Sequence, residues 1–306
     1  MTQSGNRIGL VGFGLIGASW AMAFLRKGFE VCIHDPSMTQ ERLDAEFLPA
    51  ASKVVNAADI AGKLRIVADI DDLSACDYLQ ESIREDAKSK QDLFAVLDRI
   101  MPGHVVIGSS TSALRMSDLV SDLPGRDRFV VAHPASPPHA LPVVEIVPAP
   151  FTADWAVART EDLLKEIGQT PVTLLREVPG FAMNRLQGRL LLSMLELVRD
   201  KVVTPQGADA LIRDGFGLRW ALLGPFEGVH LNAPGGISDY FERYAPMFDR
   251  FCPEGQSLRD VLCPETLAAL EEYCLAKAPL VDAERHRNAR DEALLGLREW
   301  RAEAVQ

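Results

Sequence analysis

The sequence predicts an alternating α/β N-terminal domain followed by an all-α C-terminal domain. Three observations predict it. Arg7-Ile8-Gly9-Leu10-Val11 is a short apolar run that enters Gly12-Phe13-Gly14-Leu15-Ile16-Gly17, a Gly-x-Gly-x-x-Gly turn that opens a helix. A second apolar stretch, Phe29 to His34, ends on Asp35, about twenty residues after the glycines. After Pro179-Gly180 the alternation of strand and helix patterns stops, and only helical or loop patterns follow. Strand, glycine turn, helix, strand and acid in that order predict a Rossmann-like domain that binds a dinucleotide. Gly12 permits the tight turn, Gly14 lets the backbone approach a pyrophosphate, and Gly17 lets helix and strand pack closely. The N–H groups of the helix start, at Leu15 and Ile16, attract the phosphates. Asp35 accepts hydrogen bonds from ribose hydroxyls and repels a 2′-phosphate, which selects NAD over NADP.

The remaining elements follow in chain order. Ala18 to Lys27 reads as a helix rich in Ala, Met, Phe and Leu, ended by Gly28. Arg65 to Ala68 and Tyr78 to Ser82 read as short strands. Lys88 to Ile100 is a helix with apolar Leu93, Phe94, Val96, Leu97 and Ile100, stopped by Pro102-Gly103. Val105 to Gly108, Phe129 to Ala132 and Val143 to Val147 are β-branched runs bounded by Gly and Pro, the pattern of buried strands. Thr152 to Ile167 is a helix closed by Gly168, and Thr170 to Leu175 is a last strand. Leu190 to Val198 is apolar on nearly every face, so it is predicted to be buried centrally or against another subunit. Asp282 to Ala304 is a charged helix whose apolar residues begin at Ala293, Leu294, Leu295, Leu297 and Trp300. The boundary is set at Pro179-Gly180: residues 1–178 bind the cofactor, and residues 179–306 form a helical substrate and dimerisation domain.

Composition narrows the function classes. With 306 residues the chain is long enough for two domains and a large core. A formal net charge of −11 argues against a nucleic-acid groove or an anionic membrane as partner. Cys32, Cys76, Cys252, Cys263 and Cys274 show no Cys-x-x-Cys spacing and read as reduced thiols; no metal site is expected. The first apolar run breaks at Gly12 and no charged-then-apolar leader precedes it, so the cytoplasm is the expected compartment.

Four polar clusters fall where strands end, the usual position of a site in an open α/β sheet. They are Ser109-Ser110-Thr111-Ser112, His133, Glu145 within the following strand, and Asn184. Oxidation of an alcohol needs a base for the hydroxyl proton, a group that orients that base, and donors for the developing oxyanion. Imidazole titrates near neutrality, so His133 suits the base and Glu145 its partner, with Ser112 and Asn184 holding the substrate oxygen. Taken singly, each also fits a structural role: the serine cluster a turn or helix cap, His133 a structural histidine at a strand end, Asn184 a helix cap, Glu145 an ion pair with any cation.

Together these residues resemble the short 3-hydroxyacyl-CoA dehydrogenase superfamily, in its lambda-crystallin/L-gulonate 3-dehydrogenase branch. The matching motifs are Ser109-Ser110-Thr111-Ser112, His133-Pro134-Ala135-Ser136-Pro137, Glu145, and Pro179-Gly180-Phe181-Ala182-Met183-Asn184-Arg185. The resemblance implies that Ser112, His133, Glu145 and Asn184 take the substrate-oxygen, base, orienting and substrate-oxygen roles. It places two further cofactor contacts on Glu85 and Lys90. His133-Pro134-Ala135-Ser136-Pro137-Pro138, Gly215-Phe216-Gly217-Leu218-Arg219-Trp220 and His230-Leu231-Asn232-Ala233 resemble the gulonate branch in particular. Arg219 is expected to bind a substrate carboxylate, or else to pair with Asp214 or Glu227; Trp220 lines the same substrate site. Ser110 and Ser136 stand where the family has Asn, and the segment between Asp35 and Arg65 is shorter than the helical hairpin that acyl-CoA enzymes use near CoA.

The resulting expectation is an NAD-dependent enzyme that oxidises the 3-hydroxy group of a small free carboxylic acid and forms a homodimer through its helical domain; the shortened Asp35–Arg65 segment weakens a CoA-substrate reading. L-Gulonate is the expected substrate. L-Carnitine, whose quaternary ammonium would need an aromatic surface such as Trp220, a 3-hydroxyacyl-CoA, and an NAD-binding structural role are the alternatives. His230 and Asn232 favour a polyol over the carnitine cation.

Overall fold

Residues 7–251 and 263–304 are described by the computed structural model. They fall into two compact units, Met1–Leu191 and Leu192–Gln306. Cys252 and the six N-terminal residues lie outside the described residues.

In the first unit eight strands form one sheet in the order β3-β2-β1-β4-β5-β6-β7-β8. They are β1 (Arg7–Val11), β2 (Glu30–His34), β3 (Leu64–Ile66), β4 (Tyr78–Glu81), β5 (Val106–Ser109), β6 (Phe129–Pro134), β7 (Val143–Val147) and β8 (Thr170–Thr173). Every neighbouring pair is parallel except β6 with β7, which is antiparallel. β4, β5 and β6 are buried along their whole length, as strands covered on both faces must be.

Helices α1 (Leu15–Leu25) and α3 (Asp154–Glu166) cover one face, and α2 (Ala87–Ile100) covers the other. Alternate strand residues point to opposite faces, so Leu10 joins Trp20, Phe24 and Leu163 in one core while Val11 joins Phe94 and Leu97 in the other. α1 is apolar nearly all round and buries all but three of its residues before Gly28. α2 starts where the Asp86 carboxylate accepts the Ser89 N–H at 2.8 Å, an N-cap that satisfies one orphan donor.

The strand order reverses between β1 and β4, and the crevice at that switch point is where an open α/β sheet binds its ligand. The glycine turn is built for this place. Gly12 has φ +87°, and a Cβ there would stand 2.7 Å from the Ser82 carbonyl. A Cβ at Gly17 would lie 2.1 Å from the Gly12 oxygen, so α1 can approach β1 only without a side chain.

The predicted elements recur with ends shifted by a few residues, and three differences bear on function. β6 continues through His133 and Pro134, because β7 pairs with both; His133 lies inside a strand rather than after it. Between Asp35 and Leu64 the chain forms short helical pieces, Gln40–Arg42, Leu43–Phe47, Leu48–Ala51 and Ala57–Ile60. The run predicted as Leu190 to Val198 is part of a longer helix, α4 (Met183–Arg199), none of whose residues is buried. Arg185, Arg189, Ser193 and Glu196 form a polar stripe along it, two of them before the window at Leu190, so central burial is not its state in the single chain.

In the second unit the described residues are helical or loop. Its principal helices are α5 (Pro205–Ala210), α6 (Gly217–Trp220), α7 (Pro225–His230), α8 (Gly236–Phe248), α9 (Pro264–Lys277) and α10 (Ala283–Ala304). On α10 Ala293 and Trp300 are exposed, and the Leu294 and Leu295 side chains lie outside what is described. Among the described residues no helix is long and apolar enough to cross a membrane.

Candidate active site

The polar clusters converge on one cleft of the first unit, with a volume of about 380 Å³. Its lining includes Ser112, His133, Ser136, Asn184 and Gln187, with Ile16, Leu141 and Met183 as apolar wall.

At its base His133 and Glu145 face each other as register partners across β6 and β7. The His133 Nδ1–H donates to Glu145 Oε2 at 2.8 Å. Both residues are buried. Because Nδ1 carries the proton toward a carboxylate, Nε2 of the neutral ring is left as a proton acceptor. Glu145 is held from its other side too: Oε1 accepts the backbone N–H groups of Ala182 and Met183 at 2.8 and 2.7 Å. These N–H groups open α4, a favourable place for a negative charge. Burial alone would raise the Glu145 carboxyl, but the His133 and α4 hydrogen bonds outweigh it and hold the group below its ordinary range.

Phe181 buttresses the imidazole, with ring centroids 5.6 Å apart. It is fully buried at φ +49°, a left-handed conformation that is strained for a side chain of this size. The turn before α4 thus holds Phe181 in a costly backbone state beside the base. Asn184, one residue after Met183, donates from Nδ2 to the Ser112 carbonyl at 2.6 Å, joining the α4 start to the β5 loop.

Ser110 is engaged differently from Ser112. Its hydroxyl oxygen accepts from Trp20 Nε1 at 3.1 Å and Gln80 Nε2 at 2.8 Å, and lies 2.9 Å from Ser82 Oγ. Its hydrogen-bonding capacity is filled by the floor of the cleft.

The cofactor residues gather at the switch point. The α1 N-terminus has no side-chain cap, and a Cβ added at Gly14 would meet nothing within 4 Å, so the N–H groups of Leu15 and Ile16 are open to an anion. Asp35 Oδ2 accepts the Phe13 N–H at 2.7 Å and Oδ1 accepts from Ser37, tying the acid to the glycine turn. Burial raises the Asp35 carboxyl, and the Phe13 and Ser37 donors together outweigh it and hold the group below its ordinary range, which favours the ionised form. An open helix start, a close backbone turn and an ionised acid fit a dinucleotide with a free ribose diol.

Glu85 and Lys90 are engaged in a charge cluster. Glu85 Oε1 accepts from Thr111 Oγ1 and from the N–H groups of Ser112 and Ala113. Lys90 is 1% exposed, 2.6 Å from Glu81 Oε1 and 3.5 Å from Glu85 Oε2. Glu81 was not singled out from sequence. A carboxylate ending a buried strand with a lysine nine residues on was the available signal.

Arg219 and Trp220 belong to the second unit, where both are exposed on α6. Trp220 stacks on Phe216, with centroids 5.2 Å apart and 17° between planes. Asp214 takes Arg213 as an ion partner at 2.8 Å, and among the described residues no ion pair joins Arg219 to Asp214 or Glu227. His230 does not serve as a polyol contact. It is buried, Nδ1 accepts the Ile237 N–H at 3.2 Å, and Nε2 donates to the Ala278 carbonyl at 2.9 Å, so both nitrogens are spent inside the unit.

A dinucleotide crevice beside a carboxylate-oriented histidine defines an NAD-dependent dehydrogenase acting on a CH–OH group. Residues 7–178 match the 3-hydroxyacyl-CoA dehydrogenase NAD binding domain, and residues 180–259 match the C-terminal domain of the same family. The chain belongs to the 3-hydroxyacyl-CoA dehydrogenase family. It is 35% identical over 309 residues to a lambda-crystallin homolog of Homo sapiens, covering 97% of this chain and 93% of that protein. It is 35% identical over 252 residues to an L-carnitine dehydrogenase of Streptomyces griseus, covering 79% of this chain and 74% of that protein. A 3-hydroxyacyl-CoA dehydrogenase structure from Archaeoglobus fulgidus shares the fold, with a TM-score of 0.73 at 23% identity over 97% of this chain and 99% of that one.

Proposed function

We propose that the protein oxidises the 3-hydroxy group of a small free hydroxycarboxylic acid, with an L-gulonate-like sugar acid as the best candidate. The observation behind this reading is the small cleft beside His133, whose polar lining offers Ser112, Ser136, Asn184 and Gln187 as neutral hydrogen-bonding partners. Such a lining suits a chain of hydroxyl groups. Arg219, in the second unit, is assigned to the substrate carboxylate, which its guanidinium fork matches. Residues 1–178 serve as the cofactor domain and 179–306 as the substrate and dimerisation domain, in a cytoplasmic homodimer.

Bound NAD, held by the N–H groups of Leu15 and Ile16 and by Asp35, supplies the hydride acceptor. The protein's own residues manage the proton and the oxygen. His133 Nε2 takes the hydroxyl proton, and Glu145 stabilises the imidazolium that forms. Ser112 and Asn184 steady the substrate oxygen as it becomes a carbonyl. The proton then leaves His133 to solvent, which restores the base.

A second reading is L-carnitine. The stacked and exposed Phe216–Trp220 pair is an aromatic surface for a quaternary ammonium. The engagement of His230 within its own unit also removes one argument for a polyol.

Turnover with NAD and a panel of L-gulonate, L-carnitine, 3-hydroxybutyrate and 3-hydroxybutyryl-CoA tests the reading. The highest kcat/KM is expected on L-gulonate. A best rate on L-carnitine selects the second reading, and a best rate on the thioester rejects both.

A further inference from the structure

A charge cluster made of buried Lys90 and Glu81 and solvent-exposed Glu85 lies against the loop that carries Ser112. Glu85 sends one oxygen to three donors of that loop: Thr111 Oγ1 at 2.6 Å, Ser112 N at 2.8 Å and Ala113 N at 3.0 Å. Thr111 Oγ1 in turn accepts the Leu114 N–H at 3.0 Å. Four consecutive residues are therefore organised around a single carboxylate oxygen and one hydroxyl. The far Glu85 oxygen faces the Lys90 ammonium at 3.5 Å. Lys90 is buried, and it also bonds Glu81 at 2.6 Å and approaches the Ile83 carbonyl at 3.5 Å. Glu81 closes the circuit by accepting the Ser109 hydroxyl at 2.5 Å. The ammonium thus hydrogen-bonds Glu81 and the Ile83 carbonyl and pairs electrostatically with Glu85.

We infer that Glu85 is a positioning residue for Ser112, acting through the loop, and that Lys90 holds Glu85 and Glu81 in place beneath it. This rests on the reading of Ser112 as a contact of the substrate oxygen. Three hydrogen bonds to one anionic acceptor fix where the Ser112 backbone stands, and the Asn184 amide bonds that same residue's carbonyl at 2.6 Å. Ser112 is therefore pinned at its N–H by Glu85 and at its C=O by Asn184. A shift of the loop by a fraction of an ångström moves both oxygen-holding residues at once. The Glu85 carboxyl lies below its ordinary range: burial raises it, and the Thr111 hydroxyl, Lys90 and the two N–H groups outweigh that.

The test separates a loop clamp from a direct cofactor ligand. Glu85→Ala removes the acceptor. It is expected to lower kcat by about 10- to 100-fold while the Kd for NAD, read by fluorescence titration, changes by less than about threefold. Glu85→Gln keeps an amide oxygen for the three loop donors and discards the charge, so it is expected to recover most of the lost kcat. A rise in the NAD Kd that matches the loss of kcat in Glu85→Ala overturns the inference, and so does a Glu85→Gln variant as slow as the alanine one. If Glu85→Ala does not fold, Thr111→Val removes one donor from the same oxygen, and normal kcat in that variant overturns the clamp. Ser112→Ala serves as the separate check on the underlying reading. Normal kcat there rejects Ser112 as an oxygen contact, whereas slow Ser112→Ala with normal Glu85→Ala rejects only the clamp.

Discussion

His133 and Glu145 meet because β6 and β7 are the one antiparallel pair in the sheet: the two residues are direct register partners, bonded Nδ1 to Oε2 at 2.8 Å. Directly opposed residues of an antiparallel pair share a face and stand within reach of each other. They are twelve residues apart in the chain, which a hairpin-like return allows and a parallel crossover through a helix would make difficult. The reversal therefore builds the base and its orienting acid in a single turn of the chain.

This geometry makes the pair separable by mutation. His133→Gln is expected to lower kcat by about 10²- to 10⁴-fold with NAD affinity nearly unchanged, because the general base is lost and the crevice is not. Glu145→Gln keeps the shape but removes the charge that stabilises the imidazolium, so it should also slow turnover and alter the pH profile. Steady-state kinetics beside NAD titration checks both; a His133→Gln variant with near-normal kcat rejects the assignment.

Glu145 also links stability to pH. Its folded carboxyl is depressed below the ordinary range by His133 and the Ala182 and Met183 N–H groups, against the opposing effect of burial. The unfolded chain then binds a proton at higher pH than the native one does. The stabilisation is present above the unfolded carboxylate value and is lost as pH falls through the depressed folded value. The stability difference between wild type and Glu145→Gln should therefore shrink on acidification from pH 7 through the carboxylate range. Urea unfolding at several pH values measures it, and a difference that stays constant contradicts the linkage.

Much of the fold was legible because it rests on local signals. The glycine turn, the β-branched runs and the Asp35 spacing each report backbone geometry that few other residues satisfy. The site motifs were legible as short sequence patterns, and the fold brings them together: Ser112 follows β5, His133 and Glu145 are register partners inside β6 and β7, and Asn184 stands in the first turn of α4. What was missed depends on contacts distant in sequence. Nothing local tells that Glu85 bonds the Ser112 loop, that Ser110 is saturated by Trp20 and Gln80, or that His230 bridges to Ala278. The polarity of α4 was missed for another reason: the window began at Leu190, past Arg185, Gln187 and Arg189.

Asp35 should set cofactor choice. Its carboxylate is ionised and fixed on the glycine turn by the Phe13 N–H at 2.7 Å. A 2′-phosphate brought to that point meets a like charge. NAD is therefore expected to bind much more tightly than NADP, and Asp35→Ala to narrow the gap, more so with an arginine added nearby. Fluorescence titration with both cofactors decides it; equal wild-type affinities would mean that Asp35 does not face the ribose.

A homodimer is expected from the surface of α4. Leu195 is 66% exposed in the single chain, and Leu191 and Leu192, on the same side of the helix, are close to half exposed. An apolar surface of this kind on one helix is commonly covered by a second copy through a two-fold contact. Light scattering at micromolar concentration should give twice the chain mass, and Leu195→Glu should shift it toward the monomer. A monomeric wild-type protein rules the contact out.

Arg219 is expected to anchor the substrate carboxylate. Its guanidinium matches a carboxylate in a bidentate fork that a lysine cannot reproduce. The alternative is a structural ion pair, but Asp214 is engaged by Arg213 at 2.8 Å, and among the described residues no ion pair joins Arg219 to Asp214 or Glu227. A free hydroxy acid brings a carboxylate that such a fork can bind. L-Gulonate and L-carnitine both end in that group, and a CoA thioester does not. Arg219→Met should therefore raise KM for the hydroxy acid by about tenfold or more, the scale of one charge-assisted hydrogen bond to a carboxylate, and leave the KM for NAD close to wild type. The kcat should fall less than kcat/KM, since the anchor binds ground state and transition state alike. If the variant keeps the wild-type KM for the acid, or loses NAD affinity to the same degree, the carboxylate is held by another group.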